Sequence, residues 1–302
     1  MIIHKGYENI SFRDSVVTIG MFDGVHRGHA TLLNSLINTA KKTGGDSIVI
    51  TFAVSGAPVI GKGNCLTTAD EKRKILREAN ISSLVELDED IKAMTAVDFI
   101  KNILVDKIGA KHIITGYDQR FGWRREGDFE MLKRYSADFG FTVERIPEFI
   151  FEGEKISSSA IREALLEGDV EKANRLLGYD YKISGTVVEG KKIGREIGFP
   201  TANIAPDASK LIPANGVYAV EVATGYGHFP GALNIGIKPT ISPESKNRTI
   251  EVNIIGFDKE IYGETITLSI IKKLRNEKRF NNIEDLILQM QRDKEEVLRI
   301  FS

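Results

Sequence analysis

The chain has 302 residues, 42% of them hydrophobic and 27% charged, with a formal net charge of −1. That balance describes a globular protein with sizeable cores and room for about two domains. It excludes a general polyanion-binding surface, which needs a basic excess. One cysteine, Cys65, excludes an internal disulfide and fits a reducing compartment. No apolar run reaches the ~18 residues of a membrane span, and the first residues lack the apolar core of a signal peptide. A cytoplasmic protein with small-molecule partners is expected, as a monomer or weak oligomer, without nucleic-acid or membrane partners.

Residues 1 to about 180 alternate strand and helix patterns. Strands are predicted at 16–21, 47–52, 83–87, 111–115 and 141–146. Helices are predicted at 28–42, 69–79, 95–107, 128–139, 158–167 and 170–177. The helix over 95–107 carries a start signal, Thr95 with Asp98 three residues on, which resembles a capping box. This alternation predicts βαβ units and a mostly parallel sheet with helices on both faces. After residue 181 the pattern changes. Runs at 181–188, 216–223, 232–237, 249–257 and 265–274 read as strands separated by glycine, proline or asparagine, the signature of an antiparallel barrel or sandwich. An amphipathic helix over 283–301, apolar at Ile283, Leu286, Ile287, Met290, Val297 and Ile300, ends the chain. The domains are set at 1–180 and 181–302.

The segment Gly20-Met21-Phe22-Asp23-Gly24-Val25-His26-Arg27-Gly28-His29 joins a predicted strand to a predicted helix. Glycines there let backbone approach an anion, and the helix start offers free N–H groups and a positive dipole end. A His-x-x-His pair alone also fits a structural role or a metal. Zinc needs more ligands, and the other histidines, 4, 112 and 228, are scattered, so phosphate contact is the preferred reading. Ser157, Ser158 and Ser159 open a helix, where capping is the ordinary role of serine. Gly190–Gly198 contains three glycines and two lysines but no Walker sequence. By composition it reads as a solvated hairpin loop or a triphosphate wrap.

The decamer from Gly20 to His29 resembles the Gly-x-Phe-Asp-Gly-x-His-x-Gly-His signature of bacterial bifunctional riboflavin kinase/FMN adenylyltransferases, also called FAD synthetases. Gly116-Tyr117-Asp118-Gln119-Arg120-Phe121-Gly122 is similar to the family's Gly-x-Asp-Phe-x-Phe-Gly loop. Ile156-Ser157-Ser158-Ser159-Ala160-Ile161-Arg162 matches its Ile-Ser-Ser-Ser-x-Ile-Arg motif. Further on, Pro200-Thr201-Ala202-Asn203, Asn234-Ile235-Gly236, Glu251 and Leu274-Arg275-Asn276-Glu277 follow the riboflavin kinase order, so the likeness covers nearly the whole chain.

The resemblance implies a Rossmann-like nucleotidylyltransferase domain with a parallel sheet, then a six-stranded antiparallel β-barrel riboflavin kinase domain with a terminal helix. It implies conversion of riboflavin and ATP to FMN, and of FMN and ATP to FAD, with magnesium. In the first domain His26, His29 and Arg162 would act on the phosphates of ATP. Gly20, Phe22, Asp23, Gly24, Gly28, Asp118 and Ser157 to Ser159 would help hold the nucleotide. In the second, Gly194, Gly198 and Thr201 would contact ATP, Thr201 and Asn203 would coordinate magnesium, and Glu251 would be the base. Arg275 and Glu277 would contact flavin. Two departures stand out. Ala53-Val54-Ser55-Gly56-Ala57-Pro58 replaces the family's x-Pro-His-Pro continuation, and Gln119 replaces a phenylalanine. They leave open a kinase with a decayed adenylyltransferase domain, or a non-catalytic flavin-binding regulator.

Overall fold

The computed structural model describes residues 1–52, 64–88, 91, 93–190, 193–237 and 248–302. These fall into two compact units, one of residues up to 52 with 67–157, the other of 64–66 with 158–302. Among the described residues no helix is long and apolar enough to cross a membrane.

The first unit is built in chain order from β1 (Ile2–Lys5), β2 (Ser15–Ile19), α1 (Arg27–Thr43), β3 (Ser47–Phe52), α2 (Ala69–Glu78), β4 (Ser83–Leu87), α3 (Ala96–Asp98), β5 (Ala110–Thr115), α4 (Phe129–Phe139) and β6 (Thr142–Arg145). A small hairpin, β7 (Ile150–Phe151) with β8 (Glu154–Lys155), follows. The six long-range strands pair in parallel in the order β1-β4-β3-β2-β5-β6. Every residue of β2 and β4 is buried, as expected where helices cover both faces. One core lies on each face: Leu32, Leu33 and Leu36 of α1 in one, Phe99, Ile100, Ile103 and Leu104 in the other.

From β2 the chain winds outward through β3 and β4, then returns to β5 and winds the other way to β6. The neighbours β2 and β5 therefore flank a switch point, where open α/β sheets bind ligands beyond the strand C-termini. Leu36 is fully buried beneath this arrangement. Leu36→Ala is expected to destabilise the first unit by about 2–5 kcal/mol, read from its denaturant transition.

Several expectations are corrected. β1 was not predicted; it is a four-residue edge strand with Ile2 exposed, too short to show alternation. The helix expected over 95–107 is one α-turn followed by a π-helical stretch, Phe99–Val105. Its wider bonds, such as the Asp106 amide to the Lys101 carbonyl at 3.0 Å, let Phe99, Ile100, Ile103 and Leu104 all reach the core. Thr95 does cap this helix, accepting from the Asp98 amide at 3.2 Å. The Asp98 carboxylate, however, takes the Thr95 hydroxyl at 2.7 Å.

The second unit begins with α5 (Ser158–Glu167) and α6 (Val170–Leu177). It continues through β9 (Tyr181–Val188), α7 (Ile193–Glu196), β10 (Ala202–Pro206), β11 (Gly216–Thr224), β12 (Gly227–Ile237), β13 (Arg248–Ile254), β14 (Thr265–Arg275) and α8 (Ile283–Phe301). The strands close a barrel in the order β10-β13-β12-β11-β14-β9, all neighbours antiparallel. Asn174 ties α6 to it: its amide donates to the Ile270 carbonyl at 2.8 Å and its oxygen accepts from the Tyr181 amide at 2.8 Å. β10, missed because it is short, buries only Ile204 fully and ends in proline, is the sixth strand. The strand expected to reach 257 stops at Ile254, because Gly256 turns in the left-handed region. Val297 of α8 packs against Ala219 and Ile255.

Candidate active sites

At the end of β2 the backbone leaves the sheet through a strained turn. Phe22 and Val25 adopt φ of 48° and 34°, beside Gly24 at 81°. A β-branched residue there is costly, and such strain persists only where the surroundings fix it. They do: the Gly20 amide donates to the Ile50 carbonyl at 2.9 Å, Gly24 N to Thr67 Oγ1 at 3.1 Å, and Thr67 N to Asp23 Oδ1 at 3.2 Å. Phe22 is buried under the turn.

His26 then caps α1, its Nδ1 accepting from the His29 amide at 3.4 Å. An accepting Nδ1 assigns the proton of the neutral ring to Nε2. The rings of His26 and His29 stack with centroids 3.8 Å apart and planes 17° from parallel. Burial lowers the His26 pKa to about 4, although the Asp118 carboxylate on the loop after β5 pulls the other way. Burial pushes His29 well below its ordinary value, helped by His26 and by the Lys72 ammonium. Both imidazoles are therefore neutral near pH 7. His29 Nδ1 is buried without a hydrogen-bond partner. A buried, unsatisfied ring nitrogen in a strained turn at the switch point marks a place prepared for a ligand.

The segment after β6 borders this site. Arg27 lies 4.6 Å over the Phe151 ring, Lys155 lies 4.6 Å over the Tyr117 ring, and Lys155 pairs with Glu148 at 2.6 Å. A side chain at Gly28 would press on the His26 ring, about 3.3 Å away, with Phe149 close behind. Thus His26, His29, Phe22, Asp23, Gly24, Gly28 and Asp118 come together, with Gly20 at the strand end. Asp23 spends one oxygen on the turn itself. Ser157 closes the first unit, whereas Ser158, Ser159 and Arg162 lie on α5 in the second. There Arg162 Nε donates to the Asn64 carbonyl at 2.9 Å. Gln119 turns its amide to the Arg120 carbonyl at 3.1 Å. The departures at 53–58 lie outside the described residues.

The barrel carries a second site, and strand register assembles it. Asn203 of β10 faces Glu251 of β13, Glu251 faces Asn234 of β12, Asn234 faces Val217 of β11, and Val217 faces Arg275 of β14. Directly opposed residues point to one side of a sheet, so these five form a single row across five strands. Val217, Asn234, Glu251 and Arg275 line a cavity of about 330 Å³, with Phe280 and with Met290 of α8. A neighbouring cavity of about 400 Å³ is lined by Arg195, Pro200, Lys259 and Tyr262. Thr201 lines both.

Gly194 and Gly198 shape the approach. A side chain on Gly194 would collide with the Phe199 carbonyl, and Gly198 sits at φ 83°. Lys191 and Lys192 of this loop lie outside the described residues, as does Lys238. Asn253 fixes the Pro200–Asn203 segment, its amide donating to the Pro200 carbonyl at 2.7 Å. Arg275 makes a two-pronged ion pair with Asp293 of α8, at 3.0 Å from Nε and 2.7 Å from Nη2. Gln289 donates to the same carboxylate at 2.9 Å. Glu277 lines the same cavity. Sequence reasoning missed Asp293, Thr67 and Lys72. The signal for Lys72 was present: it shares the inner face of α2 with Leu76, four residues on.

The structure thus offers two candidate sites, the strained turn at the switch point of a parallel sheet and a pair of barrel cavities that share Thr201. Residues 9–160 match the FAD synthetase family model and residues 177–301 the riboflavin kinase model. The chain belongs to the bifunctional riboflavin kinase/FMN adenylyltransferase family, and it carries both activities. It is 39% identical to the enzyme of that description from Buchnera aphidicola subsp. Schizaphis graminum over 96% of this chain and 95% of the relative. It is 37% identical to that of Escherichia coli strain K12 over 97% and 96%, and 35% identical to that of Bacillus subtilis over 95% and 93%. A solved structure from Streptococcus pneumoniae, named a macrolide-efflux protein, superposes over 98% of both chains with a TM-score of 0.87 and 30% identity.

Proposed function

We propose that the two reactions divide between the sites as follows, the barrel phosphorylating riboflavin and the switch-point site adenylylating FMN. The observation that carries the barrel assignment is the cross-strand row. It puts a carboxylate, Glu251, between the amides of Asn203 and Asn234, in a cavity large enough for part of a flavin. Riboflavin bound there presents its 5′-hydroxyl to Glu251, which takes the proton as the oxygen attacks the γ-phosphorus and ADP leaves. ATP occupies the cavity on the other side of Thr201. Arg275, held by Asp293, and Glu277 contact the flavin.

In the first unit the FMN phosphate attacks the α-phosphorus of ATP in line, and pyrophosphate leaves. The protein supplies position and charge compensation. His26 offers its Nε2–H to the phosphates, and His29 lies stacked against it. The free amides at the start of α1 and the turn glycines Gly20, Gly24 and Gly28 bring backbone to the anion, with Phe22, Asp23 and Asp118 around it. From the family motif they match, Ser157, Ser158, Ser159 and Arg162 are proposed as hydroxyl and guanidinium groups for phosphate.

Magnesium fits the barrel site. Thr201, whose hydroxyl is a hard oxygen donor, lines the proposed ATP cavity, and Asn203, two residues on, offers an amide oxygen of the same kind. A Mg²⁺ ion favours few protein oxygens, completed by phosphates and water. When bound it neutralises charge on the transferring phosphoryl group. Gly194 and Gly198 bring backbone N–H groups to the triphosphate. The adenylyltransferase part spans 1–180 and the kinase part 181–302, supported by strand–helix alternation ending with α6 and the first barrel strand starting at Tyr181. The single cysteine, Cys65, is buried, which supports a cytoplasmic setting, and a monomer or weak oligomer suffices for both sites.

Chromatography of flavins after incubation with ATP and magnesium tests this reading. FAD is expected from both riboflavin and FMN, and excess chelator is expected to stop both steps until magnesium is restored. FMN accumulating without FAD would leave the first site silent; undiminished turnover in chelator would remove the metal.

A further inference from the structure

The strained turn between β2 and α1 is held from outside itself. The chain passes through Phe22 at φ 48°, Gly24 at 81° and Val25 at 34°. Within the turn, the Val25 amide reaches the Phe22 carbonyl at 3.3 Å. Shorter ties come from Thr67, 43 residues on from Gly24. Thr67 Oγ1 accepts from the Gly24 amide at 3.1 Å, and the Thr67 amide donates to Asp23 Oδ1 at 3.2 Å. The two bonds run in opposite directions between the same segments, so they resist rotation of the turn as well as its separation. Thr67 and Asp23 are both buried, where water competes little for either bond. Thr67 is itself fixed. Thr68, the next residue, caps α2 in a full capping box with Glu71, and Leu76 roots that helix in the core.

What the clasp holds is the approach to the imidazole pair. Val25 stands between Gly24 and His26, whose extended backbone caps α1 and whose ring stacks on His29. A β-branched residue gains by leaving positive φ, and strain of this kind persists only while its surroundings hold it. If the clasp opened, Val25 would relax and swing His26 off the start of α1. We infer that Thr67 is a positioning residue for adenylyl transfer: through its reciprocal bonds to Gly24 and Asp23 it keeps the turn in the form that presents the imidazole pair and the first amides of α1 to phosphate. This rests on the phosphate role proposed above for that turn. Preorganised donors act where charge shifts in the transition state, so the effect belongs in kcat.

The test uses Thr67→Val and Thr67→Ser in the full chain, with both half-reactions measured on each preparation. Valine keeps the branching and nearly the volume and drops the acceptor for Gly24; serine keeps the acceptor and drops the methyl group. Thr67→Val is expected to lose roughly tenfold or more in kcat for FMN adenylylation, with KM for FMN and ATP within about threefold and riboflavin phosphorylation within about twofold of the parent. Thr67→Ser is expected to stay within about threefold of the parent in kcat. Parental adenylylation by the valine variant, or a serine variant as slow as the valine variant, overturns the inference. So does a loss carried by KM with kcat intact, or an equal loss of riboflavin phosphorylation. If Thr67→Val does not fold, Thr67→Ala takes its place, with the same expected loss and the same reversals. Failure of the underlying reading looks different: His29→Ala would then retain adenylylation whatever stands at position 67.

Discussion

His29→Ala is expected to cut FAD formation from FMN by roughly 100-fold and to leave FMN formation from riboflavin unchanged. The size follows from what the ring does. It stacks on His26 at 3.8 Å and contacts Phe22 at 5.1 Å between centroids. Its Nδ1 is buried without a partner, a cost the free enzyme bears in a turn already strained at Phe22 and Val25. Alanine removes that unsatisfied atom, so the variant loses no hydrogen bond made by the ring within the protein. What it loses is the imidazole at the helix start and the surface that holds His26 in place. Stability and activity are therefore expected to separate, with little loss in thermal unfolding beside a large loss in adenylylation. Steady-state rates for both half-reactions on one preparation make the comparison. Equal damage to the two activities in folded protein would end the division of labour.

Much of this fold was legible because its helices announce themselves. The spans expected at 158–167, 170–177 and 283–301 coincide with α5, α6 and α8, whose apolar spacing is regular. Strands buried over nearly their whole length, such as Ser47–Phe52, were equally plain. What escaped depends on partners remote in sequence. β1 exists because β4 offers an edge, and β10 because β9 and β13 leave a gap in the barrel. The π-helical register over Phe99–Val105 answers to the core it faces. Likewise, motif order supplied His26, His29, Thr201, Asn203 and Glu251, but not their geometry. That Asn203, Glu251, Asn234 and Arg275 form one row is a fact of register, which local pattern does not encode. Lys72 and Asp293 escaped for a related reason. A charged residue on an amphipathic helix reads as solvated until the helix is packed, and both are buried against partners remote in sequence, Thr51 of β3 for Lys72 and Arg275 of β14 for Asp293.

Glu251→Gln is expected to lower riboflavin phosphorylation by roughly 100-fold, mostly in kcat, while FMN adenylylation stays at the parent level. Glutamine preserves the shape and the place in the row, so Asn203 and Asn234 keep their neighbour and the cavity keeps its volume. Only the capacity to accept a proton is lost. The magnitude belongs at the lower end of general-base effects, because a loose phosphoryl-transfer transition state leaves the attacking hydroxyl little proton to give up until late. For the same reason KM for riboflavin is expected to hold. The flavin is proposed to be gripped by Arg275 and Glu277, and Arg275 is fixed by Asp293 and not by Glu251. Comparison with Asp293→Asn sharpens the point. Weakening that ion pair is expected to raise KM for riboflavin more than it lowers kcat, the opposite split. If Glu251→Gln instead raised KM and spared kcat, the carboxylate would be a binding group and the base would have to be sought elsewhere on the row.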